Sequence, residues 1–181
     1  DFDSSRYFLE VKYLYYFDRL FQNKKVKWRL ANAKFDMHQF ASVGVSLAGE
    51  VRDIIVQDAM VDDTRPHGLK EQAFYNYEVR WGDFKDLFLS PERVALQLGL
   101  DRAEYADFKK MPSTEKLPYV YSRNPGTVID YASCDAYFTY MLGEDLDTQM
   151  GATELPTSMF PELQTLGDYF DLIEVPLTKS L

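Results

Sequence analysis

Catalysis and metal binding need particular side chains at particular spacings, and this sequence offers few such sets. His38 and His67 lie far apart, and neither has a Cys or His partner at the spacing a zinc site uses. Cys134 is the single cysteine, so no intramolecular disulfide can form, and no histidine stands near it in sequence to activate it as a nucleophile. No Gly-x-Ser-x-Gly elbow, phosphate loop or dinucleotide fingerprint is present. Asp145, Asp147 and Gln149 resemble the start of a calcium loop. Met150 stands where that loop needs its glycine and Pro156 where it needs its last glutamate, so a solvated acidic loop is expected instead. The paired carboxylates Asp62/Asp63 and Glu144/Asp145 say little in a chain with 29 acidic residues. The residues therefore predict no catalytic group, no cofactor and no metal, and a chain that is not an enzyme.

Composition bounds the rest. A chain of 181 residues can build one full hydrophobic core. With 46% hydrophobic and 27% charged residues it has the make-up of a soluble globular domain. The aromatic share is 15%, with 13 Tyr and 13 Phe, residues that fill thick cores or line contact surfaces. A formal net charge of −9 weighs against gripping phosphate backbones or anionic membranes. The best local basic patch is Lys24, Lys25, Lys27 and Arg29, read as a solvated positive face. No apolar run reaches the length of a transmembrane span. The chain starts at Asp1 without an initiator Met, which fits either removal of a targeting peptide, as in an organellar protein, or a fragment. The compartment stays open.

Helix signals are sharpest at Ser90–Met111. Ser90 is an N-cap, Pro91 suits the first helical position, and Gly99 can end the helix in a left-handed conformation. Asp101 and Glu104 then form a capping box for a second helix carrying Tyr105 and Phe108, which Pro112 closes. The spacing of Val94, Ala95, Leu98, Gly99, Leu100, Tyr105 and Phe108 resembles the helix-turn-helix pattern of DNA-binding domains. That resemblance implies a second helix that enters the major groove. Here it would present Asp101, Glu104 and Asp107 beside Arg102, Lys109 and Lys110, and the carboxylates weigh against DNA.

Before this corner, a helix from about Ser5 to Gln22 is apolar on several faces, through Tyr7, Phe8, Tyr13, Tyr15, Tyr16, Phe17 and Phe21. These seven are the predicted partner-binding residues, on an N-terminal element spanning 1–25. Val26, Trp28 and Leu30 alternate with polar neighbours, but with no second strand in sight a connector is predicted. A capping box at Asp36–Gln39 opens a helix to about Met60, with Gly44 and Gly49 inside it letting a neighbouring helix approach. An amphipathic helix covers Leu69–Phe88. After the corner come a loop over Pro112–Pro118, an extended Tyr119–Tyr121, a helix from Thr127 to Leu142, and an acidic loop. A last helix covers Glu162–Ile173, and 174–181 is a loose tail.

The fold class predicted is all-α, a single domain over 1–181 with five to seven helices. The leading functional expectation is a non-catalytic structural or interaction subunit of a larger multi-protein assembly. Its partners would be other protein subunits, bound through aromatic helical surfaces. The alternatives are a helix-turn-helix DNA-binding regulator, and a small-molecule-binding protein or enzyme with an aromatic pocket between helices.

Overall fold

Alternation of Val26, Trp28 and Leu30 with polar neighbours has the period of a strand. In the computed structural model of the chain, which describes residues 10–81, 98–156 and 161–180, a strand is what forms. β1 (Lys27–Leu30) pairs in parallel with β2 (Glu50–Asp53), Lys27 opposite Glu50 and Leu30 opposite Asp53. Parallel neighbours need a crossover, and α2 (Ala33–Ser42) supplies it. The connector expected at Val26–Ala31 and the all-α class are both corrected: the protein is mostly helical, with a two-stranded parallel sheet. The partner strand was concealed because only one of its four residues, Val51, is apolar. Arg52 and Asp53 are buried all the same, since each is fully engaged in polar contacts.

The helix expected from Asp36 to Met60 is instead three elements: α2, β2 and α3 (Ile54–Val61). Its start is not the Asp36 box. Asn32 stands at the N-cap in the left-handed region, φ 67°, a conformation asparagine tolerates better than most residues. Gly44, at φ +77°, turns the chain out of α2. Gly49 does meet a close neighbour, but it is the backbone just before β1 and not a helix: a Cβ there would collide with the Val26 carbonyl.

The chain divides into two compact units, Leu9–Val79 with Tyr137–Leu181, and Asp1–Phe8 with Arg80–Ala136. In the first, the start of the expected N-terminal helix lies outside the described residues, and the rest is tighter than expected, a 3-10 helix at Val11–Phe17 running into α1 (Asp18–Phe21). Crowded aromatic and β-branched side chains lose rotamer freedom in an α-helix, and Glu10 gives no side-chain cap. The core of this unit joins Phe21, Ala33, Leu47 and Val51, with Leu14, Trp28, Leu30, Met37, Phe40 and Val45 against them. α4 (Leu69–Tyr77) stops well short of Phe88, because Glu78 turns left-handed at φ 58°.

In the second unit, residues 82–97, on which most of the expected first corner helix falls, lie outside the described residues. The turn and the second corner helix match expectation. Gly99 has φ +63°, and Asp101 and Glu104 form the capping box of α5 (Arg102–Lys110). The loop predicted at Pro112–Pro118 and the extended Tyr119–Tyr121 are corrected to a helix, α6 (Ser113–Arg123), which carries Pro118 inside it. Burial of Val120 and the packing of Leu117, Tyr119 and Tyr121 around Leu98, Leu100, Phe108 and Val128 offset the proline's cost.

α7 (Pro125–Ala152) begins earlier and ends later than expected. Gly143 does not stop it. The Arg29 side chain occupies the space a Cβ would need there, so the glycine admits a neighbour. The predicted acidic loop is therefore helix. At the C-terminal side α8 (Leu166–Tyr169) has a Thr165/Asp168 capping box and leads through a π-helical stretch, Phe170–Glu174, into α9 (Val175–Ser180). The last helix thus starts later than Glu162, and the tail expected to be loose is helical as far as Ser180. Among the described residues no helix is long and apolar enough to cross a membrane.

Candidate functional site

Parallel strands carry their loops in one direction, and in open α/β sheets ligands gather at the carboxyl ends of the strands. Here those ends are Leu30 and Asp53, and three polar residues meet there: Asn32, Asp36 and Asp53. Asp53 is nearly buried and acts as a pin. Its carboxylate accepts from the backbone N–H of Asn32 (3.1 Å) and Ala33 (2.7 Å), capping α2 from across the sheet, and from Ile55 N–H (3.0 Å), capping α3. Asp36 lies one turn into α2 and is half-buried. Burial pushes its carboxyl pKa up, and the charge on Asp53 pushes it further the same way. No hydrogen bond or ion pair holds the Asp36 side chain among the described residues. Burial beside a like charge is one arrangement by which functional sites raise a carboxyl's pKa.

The other charges in and at the edge of the interior are matched. Asp147 on α7 accepts from Arg29 Nη2, Arg52 Nη1 and Gln57 Nε2, each at 2.7 Å. Burial pushes its pKa up, but the hydrogen bonds from Arg29 and Gln57 and the Arg52 and Arg29 charges outweigh this and hold it below the usual carboxylate range. Burial likewise works against the charge on Arg52. Asp147, Glu50 and Asp171 around it more than offset this, and its pKa is raised. Arg29 also pairs with Glu144, and its guanidinium lies 5.3 Å from the Tyr140 ring. Asp58, fully buried, is held by Arg65 Nη2 and His67 Nδ1, both at 2.7 Å. Tyr77 donates to Asp145 at 2.5 Å; burial first, then that bond and its charge, push the phenol's pKa well up. These groups hold elements together: α7 to both strands, α3 to the turn before α4.

Asp145 and Asp147 thus belong to a helix and to ion pairs, not to a loop. Among the described residues no three His, Cys, Asp or Glu side chains come together as a metal cluster. His38 is exposed on α2, His67 is bound to Asp58, and Cys134 is half-buried on α7.

The seven predicted partner-binding residues are divided by the structure. Tyr7 and Phe8 lie outside the described residues. Phe21 is in the core, its ring 5.7 Å from Trp28 and 5.9 Å from Phe40. Tyr13, Tyr15, Tyr16 and Phe17 are exposed, at 43%, 65%, 68% and 40%. The three tyrosine rings lie against one another, with Tyr13 and Tyr16 stacked at 6.5 Å and Tyr15 and Tyr16 at 3.9 Å. Sequence reasoning missed Asn32, Asp36 and Asp53 as a site because it read Asp36 as a cap. The signal available was a β-x-α-x-β order, hidden by the unassigned strands.

The chain is 27% identical over 150 residues to a DNA polymerase I from Chloroflexus aurantiacus, an alignment covering 83% of this chain and 12% of that protein. The chain thus spans a small part of the length of the curated relative it matches. No family model matches, and no solved structure matches.

Proposed function

We propose that this chain is a DNA-acting segment of a DNA polymerase I-like protein, and that it hydrolyses phosphodiester bonds rather than forming them. The observation that carries the DNA part is the similarity to DNA polymerase I along most of this chain. The hydrolytic part rests on Asp36, a desolvated carboxylate without a partner at the carboxyl ends of two parallel strands. Phosphodiester hydrolysis at carboxylates commonly draws on divalent cations. The residues here do not make such a site by themselves, since the Asp53 oxygens are taken by three backbone N–H groups and only Asp36 is left. No step is therefore routed through a metal. Asp36 is assigned the proton-handling role: ionised, it accepts a proton from the attacking water as the water oxygen bonds to phosphorus, while the P–O bond to the departing sugar oxygen breaks and that oxygen takes a proton from solvent.

The test is conversion of an end-labelled oligodeoxynucleotide, with and without added magnesium, by the protein and by Asp36→Asn. Shortened products that the variant fails to make support the reading. No shortened product from the unaltered protein under any of these conditions refutes hydrolysis, and equal activity of the variant refutes the role of Asp36.

A second reading is a non-catalytic interaction segment that contacts other protein subunits. Exposure of Tyr13, Tyr15, Tyr16 and Phe17 on one short element favours it. Co-purification of a stoichiometric partner, abolished by Tyr15→Ala with Tyr16→Ala, is the result it requires.

A further inference from the structure

The exposed aromatics do not stand alone. Tyr13, Tyr15, Tyr16 and Phe17 are followed along the same stretch by Arg19, Lys24, Lys25 and Lys27, all exposed. None of those four cations has an acidic partner among the described residues. Lys12 lies 4.9 Å from the Tyr13 ring centroid and pairs with Glu10. The chain as a whole carries a net charge of −9. Within it, 12–27 holds five basic residues (Lys12, Arg19, Lys24, Lys25, Lys27) against one acidic residue, Asp18. A reversal of charge this local, laid next to accessible ring faces, has a specific ligand chemistry: flat bases to stack and phosphates to neutralise.

We infer that 12–27 is a binding track for single-stranded DNA, with bases stacked on Tyr13, Tyr15, Tyr16 and Phe17 and the backbone running past Arg19, Lys24, Lys25 and Lys27. This rests on the reading that the chain acts on DNA, and it names the form of DNA engaged. The geometry favours a single strand over a duplex, because bases in a duplex have no free faces to offer these rings. A protein surface would also cover apolar rings, but it would not need four unpaired cations within residues 19–27. The two helical pieces, Val11–Phe17 and Asp18–Phe21, together run about 20 Å, long enough to span several nucleotides. Tyr15 and Tyr16 stay 65% and 68% exposed although their ring centroids lie 3.9 Å apart.

The experiment is fluorescence anisotropy of a labelled oligothymidylate with the full chain in EDTA, over a range of salt concentrations. Tyr15→Ala with Tyr16→Ala is expected to weaken binding about tenfold or more, while Tyr15→Phe with Tyr16→Phe keeps it, since stacking needs the ring and not the hydroxyl. Lys24→Ala with Lys25→Ala is expected to reduce the salt slope by about 1.4, two phosphate contacts at about 0.7 each. All four sites are exposed, so far-UV circular dichroism should be the same for every variant. Binding unchanged in both alanine pairs overturns the inference, as does a duplex that competes as well as the single strand. Polyglutamate displacing the oligonucleotide at equal charge concentration would also overturn it, assigning the surface to an acidic protein. Because binding is read without hydrolysis, loss of the Asp36 chemistry leaves this result standing, and loss of binding leaves that chemistry standing.

Discussion

Asp147 is the residue on which the larger unit's polar interior converges, and its removal has a calculable cost. The carboxylate takes three hydrogen bonds at 2.7 Å, from Arg29, Arg52 and Gln57. Stripping one partner from a buried ion pair ordinarily costs about 3–5 kcal/mol. Here the loss is softened. Arg52 keeps Glu50 and Asp171, Arg29 keeps Glu144, and only Gln57 is left with nothing closer than the Met150 sulfur at 3.7 Å. Asp147→Ala is therefore expected near the lower end, about 3 kcal/mol, and Asp147→Asn, which keeps one acceptor oxygen, about 2 kcal/mol. Urea unfolding at neutral pH reads both. The pH dependence provides a second check. Asp147's folded-state pKa is depressed, so its contribution is fully present above the unfolded value near about 3.9 and fades as pH falls through the folded value. The gap between the native chain and Asp147→Asn should thus be constant from neutral pH to about pH 5 and close below about pH 4. A neutral-pH cost under about 0.5 kcal/mol, the size of an ordinary surface change, would refute the reasoning, as would a gap that stays the same at low pH.

Other substitutions probe the site's supports. Asp58→Ala leaves Arg65 and His67 facing an empty buried position and should cost about 3–5 kcal/mol, measured by the same urea titration. Asp53→Ala frees the N–H groups of Asn32, Ala33 and Ile55, uncapping two helices at once. About 2–3 kcal/mol of lost stability is expected, with increased hydrogen exchange at the first turns of α2 and α3. Asp36→Asn should do the opposite to stability. A carboxyl with a raised folded-state pKa is destabilising when ionised, so the amide should raise the thermal midpoint at neutral pH, and the gain should vanish as pH falls below the unfolded value. A stabilised protein that no longer cleaves DNA would mark Asp36 as kept for function.

Local rules were legible and long-range ones were not. Gly99 and the Asp101/Glu104 box could be placed from sequence because every atom involved lies within a few residues. β1 could not, because four residues make a strand only if a partner exists, and the partner's Arg52 and Asp53 read as surface. Their burial depends on Asp147, Asp171 and the backbone of Asn32 and Ala33, up to 119 positions away in sequence. Gly143 misled in the same way. A glycine after an amphipathic run usually signals a C-cap, but here it makes room for the Arg29 side chain. Asp36 fitted the capping-box pattern, yet α2 is capped from Asp53 on another element, which leaves the Asp36 carboxylate unclaimed. The candidate site went unrecognised for the same reason as the sheet that forms it.

Net charge was a poor guide to partners for a related reason. Arg29, Arg52 and Arg65 are consumed inside the fold by Asp147, Glu144, Glu50, Asp171, Asp58 and Asp62. Three guanidiniums against six carboxylates leave that cluster acidic, but a ligand meets none of those charges at full strength, since each has a group of opposite sign at contact distance. It meets the remainder, and the remainder is uneven: Arg19, Lys24, Lys25 and Lys27 unpaired along one stretch, and carboxylates elsewhere. An acidic total of −9 is thus compatible with a cationic track. Once screening confines each charge to roughly its Debye length, about 8–10 Å in ordinary buffer, the local arrangement decides what binds. The salt slope of the oligothymidylate titration measures that local arrangement and not the total, so a chain this acidic should still release counterions as a cationic surface does.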